Sequence, residues 1–214
     1  METKLWAADF FLVVHDEFKG RLRVNRDLLG CGLVTAQIGQ LVAGGTLGIA
    51  SSRVVPVEGA PTPVDEIEEY VVESVRGQAS SHTVRAWIDT LDEVLYELVA
   101  RRLVETGVVR RESGSGLLRK RPDRFPSVDL LSAARPRLRL ESMLRRPREF
   151  DLAGAFTAAL IWACGLDVVL DPELDRAAAR ELVDEIGERL PPELQELLAG
   201  TRAAVAAISL TVRR

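Results

Sequence analysis

The chain has 214 residues, 47% of them hydrophobic and only 5% aromatic, so a sizeable core must be built mainly from Leu, Val and Ala. The first apolar run, residues 10–14, is too short for a secretory signal. Cys31 and Cys164 both lie in apolar sequence, which favours buried free thiols and argues against a disulfide or a metal site. These features indicate one cytoplasmic domain over residues 1–214.

In the first half of the chain, apolar spacing predicts helices separated by one hairpin. The predicted helices cover residues 3–14, 28–43, 65–75 and 84–106. Residues 46–57 predict a β-hairpin with its turn at Ser51-Ser52. The preceding Gly44-Gly45 indicates a helix end, because no Gly-Lys-Ser/Thr follows to make a phosphate-binding loop.

Residues 108–120 (VVRRESGSGLLRK) predict a second hairpin, in which Ser-Gly-Ser-Gly joins two short strands. Basic residues crowd both arms, and Leu117 and Leu118 lie on the tip side. A further helix is predicted over residues 130–146, interrupted near Pro136.

Residues 152–166 (LAGAFTAALIWACGL) form the least polar stretch, with no charge and Thr157 as the one polar side chain. A spanning helix needs roughly 20 apolar residues, so this shorter run predicts a buried central helix, capped by Asp151. Two helices, 173–190 and 193–210, follow. The sequence therefore predicts a mostly α domain packed around residues 152–166, with small hairpins at 46–57 and 108–120.

The charge is unevenly distributed along the chain. Residues 101–148 hold 14 Lys+Arg and 5 Asp+Glu, although the whole chain has a net charge of −4. A concentrated basic segment in an acidic protein suggests an anionic partner, either a membrane surface or a nucleic acid. The alternative is that these arginines pair internally with acidic helices such as 171–200.

No motif indicates an enzyme. The chain has no nucleophile elbow, no phosphate loop and no His or Cys at metal-ligand spacing, and neither His15 nor His82 has a partner at such a spacing. We therefore expect no catalytic residue, no metal and no cofactor.

The order of the segments resembles the Golgi phosphoprotein three family in its compact bacterial form, from residue 5 to residue 212. The resemblance rests on a helix bearing Gly30-Cys31 and ending in a hairpin, and on Pro-Thr-Pro at 61–63. The most specific portion is 83–126, with TVRAWI, LVETGVV, the basic hairpin and RFP. The family implies a single mostly helical domain that associates peripherally with membranes.

Eukaryotic members of that family bind phosphatidylinositol 4-phosphate in a basic pocket and use the hairpin for membrane insertion or self-association. The pocket positions match Leu29, Glu93 and Tyr96 here, none of which is basic. The resemblance therefore implies docking on anionic lipids, phosphoinositides among them, through the hairpin rather than through that pocket.

This hypothesis assigns lipid contact to the basic residues of the hairpin and of the helix before it, and membrane insertion to Leu117 and Leu118. The candidate lipid-binding residues are Arg101, Arg102, Arg110, Arg111, Arg119, Lys120, Arg121 and Arg124. Each such cation contributes on the order of 1 kcal/mol at an anionic surface. The expected location is the cytoplasm, peripheral to the inner face of the membrane.

Two alternatives stay open. The hairpin can be a contact between subunits, its basic arms meeting acidic residues 65–73 or 171–196 of a second copy. A helix followed by a basic hairpin is also typical of a winged-helix nucleic-acid-binding module, with Arg101, Arg102, Arg110 and Arg111 on phosphates. Four acidic residues on the preceding helix oppose that interpretation: Asp89, Asp92, Glu93 and Glu97.

Overall fold

A computed structural model of the protein describes residues 5–78, 80–114, 122–146 and 150–211. Its helices are α1 (Trp6–Val14), α2 (Arg26–Ala43), α3 (Glu66–Arg76), α4 (Val84–Glu105), α5 (Leu130–Arg145), α6 (Leu152–Ala163), α7 (Arg176–Glu188) and α8 (Pro192–Thr211), with a short 3-10 helix, Asp167–Val169, after α6. The prediction of a mostly α fold with small hairpins is confirmed.

The predicted hairpin at 46–57 forms two strands of a small antiparallel sheet. Its strands are β1 (Leu47–Ala50), β2 (Arg53–Pro56) and β3 (His82–Thr83), in the order β1-β2-β3. Ser51 and Ser52 make the tight turn, with φ angles of 51° and 60°, the left-handed pair that suits the right-handed twist of a two-residue hairpin. The strand β3 was not predicted, because two residues are too few to show an alternating pattern.

Helix α6 is buried as predicted, between α1, α2, α5, α7 and α8. Asp151 caps it, with Oδ1 accepting a hydrogen bond of 2.8 Å from the N–H of Gly154. Among the described residues, no helix combines the length and the apolar character needed to cross a membrane.

Helix α2 shares the centre of the protein with α6. Residues 29–38 are all buried, and α2 contacts α1, α3, α4, α6 and α8. Gly32 and Gly39 make this packing close: a Cβ atom on them would lie 1.9 Å from the ring of Phe10 and 2.6 Å from the ring of Phe156. Two aromatic rings from α1 and α6 therefore rest directly on the α2 backbone.

Helices α2 and α4 run antiparallel, since Arg26 lies against Tyr96 while Gly30 lies against Asp92. The strand β3 directly precedes α4, and the second hairpin directly follows it. With 22 residues at about 1.5 Å per residue, α4 separates these two ends of the protein by about 33 Å. The sheet therefore marks one end of the molecule and the second hairpin marks the other.

Candidate functional site

The second hairpin begins where the chain turns at Gly107, whose φ is +71°. The N–H of Arg110 donates to the carbonyl of Pro126 at 3.0 Å, and the backbones of Glu112 and Arg124 exchange two bonds of 2.9 Å. The hairpin is therefore present, but the arm that returns is residues 124–127. Most of the predicted Ser-Gly-Ser-Gly turn and the predicted second strand at 117–120 lie outside the described residues.

Phe125 anchors the returning arm of the hairpin in the core. Its buried ring sits in an aromatic cluster with Phe11, His15 and Tyr96, at centroid distances of 5.2, 5.7 and 6.0 Å. Burying a large aromatic side chain is worth more than any turn preference. The core contact of Phe125 therefore fixes the pairing of residues 109–112 with residues 124–127.

Three of the candidate cations are held by carboxylates of the protein itself. Arg111 binds Glu97 and Asp123, both at 2.5 Å, and these two carboxylates raise its pKa while Arg111 lowers that of Glu97. The Nη2 of Arg110 lies 2.8 Å from Glu112. The Nη2 of Arg101 lies 2.9 Å from Glu66 on α3. For these three arginines the structure therefore shows ion pairs within the protein, which was the alternative to an anionic partner.

The same pairing continues along α5, outside the predicted site. Arg137 bridges Glu17 at 2.6 Å and Glu141 at 3.1 Å. Arg145 binds Asp171 at 2.5 Å, and Arg139 binds Asp151. Much of the positive charge counted over residues 101–148 is therefore neutralised inside the molecule.

Arg102 and Arg124 differ from the other described candidates. Neither makes an ion pair within 4 Å in the part of the chain that the structure describes. The remaining candidate residues, Leu117, Leu118, Arg119, Lys120 and Arg121, lie outside the described residues.

A second cationic position, Arg26, lies beside the hairpin. Its guanidinium carbon stands 4.1 Å from the centre of the Tyr96 ring, and its Nη2 is 3.3 Å from Glu93. Both terminal nitrogens are buried and make no hydrogen bond to the described residues. Arg26 is thus held by stacking and by a charge contact that lacks hydrogen-bond alignment.

The described residues contain no cluster of three or more His, Cys, Asp or Glu arranged for a metal ion. His15 is buried, its ring stacked 4.0 Å from that of Phe11, and burial lowers its pKa to about 4. Cys31 and Cys164 are buried free thiols, as predicted. Burial raises both thiol pKa values, that of Cys31 to about 11, which suppresses the reactive thiolate.

The family model for Golgi phosphoprotein 3 (GPP34) matches residues 7–206, nearly the whole chain. The chain belongs to the GPP34 family. The match confirms the family that the segment order indicated, and it includes most of α1, the second hairpin and most of α8. No curated protein matches the chain in sequence.

The three positions that were matched to the eukaryotic lipid pocket, Leu29, Glu93 and Tyr96, lie on α2 and α4. Leu29 is fully buried and uncharged. Glu93 and Tyr96 both contact Arg26. Arg26 was not among the residues predicted from the sequence. The available signal was its spacing: Arg26 precedes Gly30 by one helical turn, so both face α4.

Proposed function

We propose that this protein is a non-enzymatic peripheral protein that docks on anionic phospholipid surfaces through the loop closed by the second hairpin. The loop's Arg119, Lys120 and Arg121 contact lipid headgroups, and Leu117 and Leu118 enter the interface.

The observation that carries the proposal is the distribution of basic and acidic residues around the hairpin. Arg101, Arg110 and Arg111 already have carboxylate partners. Residues 115–121, in contrast, hold three basic residues and no acidic one. Arg102 and Arg124 add two cations that form no ion pair with the described residues. The surplus charge of this end of the molecule is therefore concentrated on the loop and its base.

The expected binding is reversible. Three cations at about 1 kcal/mol each give on the order of 3 kcal/mol at low salt. Leucine insertion adds about 1.5–3 kcal/mol for each side chain that is fully buried. Because the electrostatic part acts within a Debye length, roughly 8 Å at physiological salt, binding weakens as ionic strength rises.

We propose further that binding follows membrane charge rather than phosphoinositide identity. Leu29 offers no charge, and the Glu93 carboxylate repels phosphate while it partly neutralises Arg26. A headgroup phosphate at this position would have to displace Glu93 from Arg26, which costs the existing charge contact.

The loop variant R119A/K120A/R121A tests this mechanism. We expect its co-flotation with phosphatidylcholine vesicles containing about one third phosphatidylglycerol to fall at least tenfold, because three cations at about 1 kcal/mol each are lost. The matched control is R76A/R85A/R180A, which removes the same charge from exposed positions outside the hairpin. We expect the control to float like the wild type.

Equal losses in both variants would mean that net charge alone drives binding, and unchanged flotation of the loop variant would refute the mechanism. Sedimentation of both variants separates the competing function of the hairpin. If the loop variant changes the oligomeric state and leaves flotation intact, the hairpin is a contact between subunits instead.

A further inference from the structure

The turn at residues 16–20, before α2, is hydrogen-bonded to the returning arm of the second hairpin. The carbonyl of Gly20 accepts a bond of 2.8 Å from the N–H of Phe125. The carbonyl of Glu17 accepts two bonds from Ser127, one of 3.1 Å from its N–H and one of 2.7 Å from its hydroxyl. Phe18 and Val128 each follow a member of this bonded pair, so their backbones are neighbours.

Large apolar side chains on this junction and just after it are exposed to solvent. Phe18 is 69% exposed, Val128 is 61% exposed, and Leu131, within one turn of Val128 at the start of α5, is 79% exposed. Single exposed apolar residues are ordinary, but a group that includes an exposed phenylalanine marks an interaction surface. We call Phe18, Val128 and Leu131 the apolar patch.

The surroundings of the apolar patch are positive. Lys19, Arg21 and Arg124 make no ion pair within 4 Å among the described residues. These three cations lie next to Phe18 in sequence or on the arm bonded to its turn. An apolar group with cations nearby that form no ion pair with the described residues matches the headgroup and acyl layers of an anionic bilayer.

The acidic residues near the apolar patch are already engaged. Asp16 accepts hydrogen bonds from the N–H groups of Phe18 and Lys19, and it pairs with Arg23 at 3.3 Å. Glu17 is held by Arg23 and Arg137. Asp129 caps α5 by binding Ser132. Among the described residues, none of these carboxylates therefore forms an ion pair with Lys19, Arg21 or Arg124.

We propose that Phe18, Val128 and Leu131 form a second contact with an anionic phospholipid bilayer, distinct from the loop at 115–121; this rests on the proposed function, in which the protein docks on such a surface. The two contacts together fix the orientation of the protein, with the hairpin end toward the lipid. The sheet, at the other end of α4, faces away.

Single cysteines labelled with an environment-sensitive nitrobenzoxadiazole dye test this directly. F18C and V128C report on the apolar patch, and V57C is the control, since Val57 is 37% exposed and follows β2 at the opposite end of α4. The native Cys31 and Cys164 are buried, so the introduced cysteine takes the label. Vesicles of phosphatidylcholine with one third phosphatidylglycerol should shift the emission of F18C and V128C to the blue and leave V57C unchanged.

A triple variant, F18S/V128S/L131S, provides a second readout that needs no label. We expect at least tenfold weaker flotation than the wild type at low salt, where wild-type binding is strongest, because three apolar side chains that enter the interface are lost. Circular dichroism should be unchanged, because the three side chains are exposed in the wild type.

The outcomes separate this inference from the proposed function. If the wild type floats but the dye at positions 18 and 128 shows no blue shift with vesicles, the inference is overturned and loop docking is left intact. A blue shift at positions 18 and 128, with full flotation of R119A/K120A/R121A, would support the apolar patch and refute the loop. Absence of wild-type flotation would overturn both, and a blue shift without vesicles that grows with protein concentration would assign the patch to a second copy of the chain.

Discussion

Gly20→Ala should lower the free energy of unfolding by at least about 3 kcal/mol, combining a left-handed backbone penalty with overpacking. Gly20 has a φ of +60°, and a Cβ atom there would lie 2.0 Å from the backbone nitrogen of Pro126. Those atoms belong to the backbone bonded to the turn, so no side-chain rotation relieves the clash. The expected fall in Tm is roughly 6–12 °C for a chain of this size.

Gly45→Ala is the matched control. Gly45 has a φ of +72°, but no atom lies within 4 Å of the position its Cβ would take. It should therefore cost only the conformational penalty, about 1 kcal/mol. Denaturant unfolding of both variants measures the difference. Equal losses would show that the turn at residues 16–20 does not pack against Phe125-Pro126 in solution.

Two buried groups should give the protein opposing pH dependences between about pH 4 and 6. Burial, together with the charge of Asp151, raises the pKa of Asp9 to about 6, so stability falls as pH rises from 3.8 toward 6. Burial lowers the pKa of His15 to about 4 from 6.5, so stability rises with pH over that window. Each shift corresponds to about 3 kcal/mol, and the two largely cancel in the wild type.

Single variants should reveal each dependence. In Asp9→Asn, the unfolding free energy of the variant minus that of the wild type should increase by about 2 kcal/mol from pH 4 to pH 6, most of the full shift. In His15→Phe, which keeps the ring stacked on Phe11, the difference should decrease over the same range. The readout is the slope of the unfolding free energy against pH. His15→Phe also loses the 2.7 Å hydrogen bond between the His15 ring and the Phe11 carbonyl. That loss shifts the whole curve but leaves the sign of the slope unchanged. Parallel curves for wild type and variants would contradict the assignment.

Local patterns in the sequence predicted the helices well because their spacing and caps are local. Asp151 before the apolar run and the glycines after α2 lie where a helix must begin or end. Pro136 shows the limit of such rules: α5 continues through it, although the proline was expected to interrupt the helix. Contacts of α5 with α1, α6 and α7 outweigh the single backbone hydrogen bond that the proline cannot donate.

Features that depend on distant partners could not be predicted. The register of the second hairpin is set by Phe125, which packs against residues more than a hundred positions earlier, Phe11 and His15. The pairing of Arg111 with Glu97 depends on how the hairpin folds back on α4. Charge counting along the chain therefore located the basic region correctly but overstated how much of its charge is available.

The central claim is that the protein docks on membrane charge through its hairpin end. The measurement that tests it most directly is flotation of the wild-type protein with three vesicle types: neutral phosphatidylcholine, phosphatidylglycerol-containing, and phosphatidylinositol 4-phosphate-containing, the last two matched in total charge. We expect no binding to neutral vesicles, equal binding to both anionic ones, and loss of most of that binding at high salt. Preference for the phosphoinositide at matched charge would instead assign a specific headgroup site near Arg26, and absence of flotation in all three would contradict the membrane function itself.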